Sequence, residues 1–183
     1  QINEMFRIDM GAGLGNWLYM DDASGTYRDS DGSDASYSYA LKDLKVGDMP
    51  QASLAFGLTA SPVDDSKIQL LYRHYALHYS DFDPTSREYS GDDNPDRSQS
   101  WRSPAYGILD LNASYKVPFE YYGASPEIFL NVRNILDAVY VQDATDNSRY
   151  NAEPFRVNSH SANSAEVYLG LPTSFNMGLR INF

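Results

Sequence analysis

The stretch TSFNMGLRINF, Thr173–Phe183, alternates without error. Phe175, Met177, Leu179, Ile181 and Phe183 are apolar, and Ser174, Asn176, Gly178, Arg180 and Asn182 are small or polar. A period of two is the mark of a strand with one apolar and one wet face. Most chains finish in a frayed polar tail, whereas this one finishes on an aromatic residue in mid-pattern. The ending therefore reads as a strand whose edge needs a partner.

The same period recurs upstream. Phe6, Ile8, Met10, Ala12 and Leu14 alternate with Arg7, Asp9, Gly11 and Gly13. Gly15-Asn16 reads as a turn, after which Trp17–Tyr27 forms a second, less regular strand. Further strands are expected over 52–60, 68–79, 109–117 and 128–132, and the last from about Val167 to Phe183. That makes seven strands, most of them long enough to cross a bilayer at a tilt, which takes about 10 residues. The connections alternate: short at 14–16, 62–66 and 118–126, long at 30–50, 80–104 and 143–165. Short turns at one end and long loops at the other are the arrangement of an outer-membrane barrel.

Composition narrows the function classes. A net charge of -11 over 183 residues is the wrong sign for a phosphate-binding surface, which excludes nucleic acid as a partner. With no cysteine there is no disulfide, thiolate metal site or thiol nucleophile. The mean hydropathy of -0.50 and the lack of a long apolar run argue against membrane helices. They leave a barrel open, because its strands are apolar only at every second position. Tyrosine, with 15 copies, suits a surface that is part apolar and part wet.

The fold expected is all-β, an antiparallel up-and-down transmembrane barrel with its apolar faces in lipid. Arg7, Asp9, Asp110, Lys116, Arg133 and Arg180 then line a polar lumen. A seven-strand sheet leaves two unpaired edges in lipid, where each orphaned backbone group costs several kcal/mol, so further strands are expected outside this chain. The alternative is an eight-stranded barrel that uses Tyr37–Val46 as its extra strand.

Three stretches carry a family resemblance. PAYGILDLNASYKV, PEIFLNVRNILDAVYV and VYLGLPTSFNMGLRINF, in that order, resemble the last three strands of TonB-dependent outer-membrane transporters. Asn134-Ile135-Leu136-Asp137-Ala138-Val139-Tyr140 is similar to the segment that precedes the last extracellular loop in that family. Gly170, Pro172, Phe175, Gly178, Leu179, Arg180 and Phe183 fit its closing pattern, with Thr173 where an arginine is common. GDMPQASLAFGL and YSDFDPTS resemble members from Bacteroidota.

The resemblance implies a 22-stranded barrel with a plug folded in its lumen, of which residues 1–183 are the C-terminal part of the barrel domain. It implies nutrient uptake across the outer membrane, no enzymatic activity and no cofactor. The implied partners are the remaining strands and plug, TonB through an N-terminal segment outside this chain, a surface lipoprotein lid, and lipid. Phe175, Met177, Leu179, Ile181 and Phe183 correspond to the barrel-assembly signal. The rival functions are a stand-alone barrel with an adhesive or structural role and an outer-membrane barrel hydrolase.

Candidate chemistry is sparse. Tyr89, Trp101, Arg102 and Tyr150, in or beside the long loops, are candidate ligand contacts, since aromatic rings stack on sugars and apolar ligands at low entropic cost. Tyr106 and Tyr140, at strand ends, fit either ligand contact or the outer aromatic girdle. His74 and His78 are expected to share a face ~13 Å apart, too far for one ion at ~3.3 Å per residue. Asp29, Asp31 and Asp34 around Gly32 read as a solvated acidic loop or a poor calcium loop. Ser159-His160-Ser161 has no evident acid partner, and no nucleophile elbow or HExxH is present. No metal site is expected.

Overall fold

The computed structural model describes residues 5–91, 94–119, 122–147 and 160–182. Ten strands follow one another: β1 (Phe6–Leu14), β2 (Ala23–Arg28), β3 (Asp34–Tyr39), β4 (Pro50–Ala60), β5 (Ser66–His78), β6 (Tyr106–Lys116), β7 (Ser125–Arg133), β8 (Val141–Asp146), β9 (Ala165–Leu169) and β10 (Ser174–Asn182). Six of them form one sheet in the order β1-β4-β5-β6-β7-β10, every neighbour antiparallel. β2–β3 and β8–β9 are separate two-stranded ribbons.

The sheet thus has six strands among the described residues rather than the seven expected. The difference lies in Trp17–Tyr27, which does not return across the sheet. Gly15 ends β1 with its amide donating to the Gln51 carbonyl at 2.8 Å. The Trp17 ring then lies across it, so close that a Cβ on Gly15 would fall 0.8 Å from Cζ3. The chain turns away there, touches back through an isolated Leu18–Lys45 bridge, and enters the β2–β3 ribbon. β1 pairs instead with β4, from Phe6 opposite Ala60 to Leu14 opposite Ala52. Tyr37–Val46 adds no strand to the sheet either, since β3 joins β2 in a separate ribbon.

The alternation of connections survives this correction in a cleaner form. Residues 61–65 and 117–124 join neighbours at one end of the sheet, and 15–49, 79–105 and 134–173 join them at the other. Gly15-Asn16 opens a long connection instead of making a short one.

Register aligns like with like across all six strands. Ile8, Leu58, Leu70, Leu111, Val132 and Phe175 are successive partners on one face. One residue along each strand, Arg7, Thr59, Gln69, Asn112, Asn131 and Asn176 are successive partners on the other. The first face is exposed: Met10 is 74% accessible, Phe175 73% and Met177 69%. The second carries Arg180 Nη1 donating to Glu127 at 3.0 Å, the paired Arg73 and Asp110, and Gln69 Nε2 donating to Thr59 Oγ1 at 3.3 Å. Among the described residues the sheet is open, with β1 and β10 as its edges.

The packed interior lies in the long connections. Leu41, Leu44 and Phe82 are buried together, with Tyr19, Ala23 and Tyr39 against them. Tyr19 meets Phe82 edge-on at 5.9 Å. Asp22 ties two connections to each other. Its carboxylate accepts from the Leu41 and Lys42 amides at 3.1 and 2.9 Å, and from Arg97 through both oxygens at 2.9 and 2.6 Å.

A second knot fixes the exit of β7. Asn134 takes a left-handed turn (φ 50°) that asparagine tolerates better than most residues. Its amide donates to Asp110 Oδ1 at 2.9 Å, and its side chain bonds the Ala138 amide and carbonyl, both at 2.9 Å. Thr173 closes the knot, its hydroxyl donating to the Asn134 carbonyl at 2.6 Å and its amide to Asp137 Oδ1 at 2.9 Å.

Candidate functional site

A cavity of ≈ 720 Å³ opens on the polar face where β5 and β6 run into the long connections. β5 supplies Arg73 and Tyr75, β6 supplies Tyr106 and Asp110, and the knot after β7 brings Tyr140. Tyr75 and Tyr106 are register partners with ring centroids 5.3 Å apart. Tyr106 and Tyr140 stack at 4.5 Å and 23°. Gly170 makes room for this stack, because a Cβ there would sit 1.9 Å from the Tyr140 ring. The result is a line of three tyrosines above the Arg73–Asp110 pair, with exposed Arg133 also on the wall. Aromatic planes beside a guanidinium suit a ligand with a flat or sugar-like body and an anionic group.

Asp48 also lines the cavity. Asp48, at a left-handed backbone position (φ 62°), has its carboxyl pushed up to about 6 by burial, the charge of Asp81 and a hydrogen bond with Asp143. These three come from three different connections or ribbons, so no local motif joins them. Buried His78 also faces the cavity, and neither ring nitrogen has a hydrogen-bond partner. Leu77 explains the side it takes. Its left-handed φ of 55° breaks the alternation of β5, so His78 turns to the polar side while His74 stays with Tyr72, 3.5 Å from its hydroxyl. The two histidines therefore do not share a face.

The structure scatters the residues singled out from sequence. Tyr89 is half-buried and spends its hydroxyl on Asp22 Oδ2 at 3.2 Å, inside the packing of the connections. Trp101 is half-buried, its carbonyl accepting from the Ser80 amide at 2.8 Å. Arg102 is exposed and bridges to Tyr79 through its backbone. Tyr150 and Phe183 lie outside the described residues. Phe175, Met177, Leu179 and Ile181 are exposed together on the apolar face. Tyr106 and Tyr140 stand around the cavity. Sequence reasoning passed over Tyr75 and Asp48, and considered His78 only as a metal ligand alongside His74. Tyr75 had a usable signal, since it shares the odd-numbered face of β5 with Gln69 and Arg73.

Asp29, Asp31 and Gly32 form the tip of the β2–β3 ribbon, where Asp31 Oδ1 accepts from the Ser33 amide and hydroxyl at 2.8 and 2.6 Å. The acids there shape a turn. Among the described residues no group of three or more acidic or histidine side chains is arranged to hold a metal ion.

His160 does have acid partners, contrary to the sequence reading, and they come from afar. Nδ1 faces Asp146 Oδ2 at 2.6 Å and Nε2 faces Asp96 Oδ2 at 2.8 Å. With a carboxylate on each nitrogen, the ring has no free lone pair to aim at a serine. That arrangement favours an imidazolium and opposes a general base.

No protein-family model matches the chain, and no curated protein matches it. Among solved structures, the ferric-catecholate import receptor Fiu from E. coli K12, in a closed crystal form, is similar at 12% identity and a TM-score of 0.49. The likeness covers 97% of this chain and 19% of that one.

Proposed function

We propose that this chain is part of the wall of an outer-membrane β-barrel that takes up a ligand as TonB-dependent transporters do. One observation carries the reading: two complete rows across six strands, one apolar, with Ile8, Leu70 and Phe175 exposed, the other polar, with every long connection at one end. Lipid is the solvent that makes the exposed row favourable, and a water-filled lumen is the solvent that suits the polar row. In lipid the free edges of β1 and β10 are untenable, so each pairs with a strand outside this sheet. The long connections form the extracellular surface, and the cavity beneath them receives the ligand.

The resemblance of the last three sheet strands supports the narrower part of the proposal. In it the chain contributes no catalysis, a plug shares the lumen, TonB supplies the energy and a surface lipoprotein covers the mouth. The Bacteroidota-like segments are the reason for including the lipoprotein, and the family resemblance is the reason for reading the substrate as a nutrient.

With no native cysteine, single-cysteine labelling is clean. In outer-membrane vesicles, Met177→Cys should resist a charged maleimide, and Asn176→Cys should react with it. Equal access of the charged reagent to both positions would sink the barrel reading. If the barrel holds but a ligand found to copurify with the protein accumulates equally after deletion of TonB, only the transporter reading fails.

A further inference from the structure

The polar rows of the sheet carry a charge opposite to that of the chain. The protein as a whole has a net charge of -11. Among the described residues, the polar rows hold six lysines and arginines against three aspartates and glutamates, and the apolar rows hold none of either. Each of the three acids is spent on a cation. Asp9 accepts from Arg7 at 2.6 Å, Glu127 accepts from Arg180 at 3.0 Å, and Asp110 pairs with Arg73. Lys67, Lys116 and Arg133 are left without a salt bridge among the described residues. This wall is therefore positive in an acidic protein, and a concave surface of one sign gathers ions of the other.

Of the three unpaired cations, Arg133 stands in the cavity described above. The two arginines of that cavity differ. Arg73 is held by Asp110, whose other oxygen accepts from the Asn134 amide at 2.9 Å, so its charge is neutralised and its position fixed. Arg133, the last residue of β7, is exposed. It also lines a neighbouring cavity of ≈ 570 Å³ together with Asn112, Asn131 and Asn176. A guanidinium with open donors among uncharged amides is a site for an acid group.

The tyrosines decide what that acid group is attached to. Tyr75, Tyr106 and Tyr140 line the same cavity and offer their rings to another ring. Its ≈ 720 Å³ falls within the range of small-ligand sites, about 300–1,000 Å³. Asp48 sets the direction. Its amide donates to the Tyr79 carbonyl at 3.3 Å, which places it ~20 Å from Arg73 along β5 at ~3.3 Å per residue. That exceeds the ~8 Å over which charges are felt in physiological salt. The acid group therefore belongs at the sheet end of the cavity, and an uncharged end lies toward Asp48.

We propose that the cavity binds a ring-bearing organic acid, its ring among Tyr75, Tyr106 and Tyr140 and its acid group on Arg133, and that Arg133 selects for the acid. The inference rests on the reading of this cavity as the place where a transporter receives its ligand.

The full protein, purified and reconstituted in lipid vesicles, is titrated with 4-methylumbelliferyl glucuronide and with the matching glucoside. The two probes differ only in a carboxylate for a hydroxymethyl group. The glucuronide should bind about tenfold more tightly, the effect of one charge-assisted contact. Arg133→Gln should abolish the preference by bringing the glucuronide to the level of the glucoside. Tyr106→Ala should weaken both probes alike, and native affinity in that variant would refute the placement of the ring. Equal binding of the two probes to the native protein would mean that an acidic part of the protein outside this chain occupies Arg133, and would overturn the proposal. So would a preference that survives Arg133→Gln, or binding of neither probe at millimolar concentration. If Arg133→Gln does not assemble, the native protein decides: the preference should shrink severalfold between about 50 mM and about 0.5 M salt, and a constant preference would refute it. The maleimide pattern and the TonB requirement report on the wall and on transport, so either can fail while the preference holds.

Discussion

The six-stranded sheet and the connections above it distribute their apolar residues in opposite ways. In the sheet, Met10, Phe175, Met177 and Leu179 are more than half exposed. In the connections, Leu41, Leu44 and Phe82 are buried in a small core of their own, and even an arginine is fully enclosed. Connections are ordinarily the loosest and most polar part of a protein, and sheets ordinarily bury one face. On the proposed reading, the inversion means that the two regions are built for different solvents. Among the described residues the sheet lacks a partner for its apolar face, which the proposed lipid phase would supply. The connections hold together as a small soluble domain does, by a hydrophobic cluster and paired charges.

That contrast can be broken most severely from the connection side. Phe82→Ala removes the centre of the small core and the surface under the enclosed Arg87. A loss of about 3–5 kcal/mol is expected for a buried phenylalanine, read as faster hydrogen exchange at Tyr39–Leu44 with β5 and β6 unaffected. Exchange that rises equally in the sheet would mean that the two regions do not have separate cores.

Neighbouring substitutions in β5 sharpen it next. Leu70→Lys places a charge in the middle of the apolar row and should cost about 2–4 kcal/mol in a bilayer. Gln69→Lys, one residue away on the polar row, should cost under about 1 kcal/mol. Urea unfolding of the protein refolded in lipid vesicles measures both, and similar values would contradict the two-solvent account.

The smallest effect is expected at Asp22. The Arg97 guanidinium, then the Lys42 amide, hold its carboxyl far below the usual range. A depressed carboxylate stabilises above its ordinary value, about 4, and that contribution disappears as pH falls through the folded value. Asp22→Asn should cost less than about 1 kcal/mol, because Arg97 is partly exposed. The cost should show at neutral pH as faster exchange of the Leu41 and Lys42 amides and vanish in strong acid. A difference between variant and native that grows toward acid would refute the assignment.

Much of the sheet was legible because its information is local. Alternation in 6–14, 52–60, 109–117 and 174–182 reports both strand and face, and the charges placed on the wet side from sequence, from Arg7 to Arg180, do lie on the polar rows. The error at Trp17–Tyr27 came from reading Gly15-Asn16 as a tight turn when it is the point where Trp17 folds over the end of β1. A glycine marks a conformational need without saying whether a turn or a ring contact creates it. The site was far less legible. Tyr75 and Tyr106 meet only through register, and Tyr140 reaches them only because Asn134 turns the chain. His160 looked solitary because its acids stand 14 and 64 residues away.

By itself the sequence determined that this is an antiparallel β protein with one apolar face, one wet face and long connections. Each of those properties repeats every second residue, and the chain's own chirality converts spacing into face. Only the tertiary structure decided which strands are neighbours, that the connections own a core, and that a cavity and the acid pairs of His160 form where they converge. Pairing, burial and charge balance are relations between distant segments, and no single segment carries the energy that selects them.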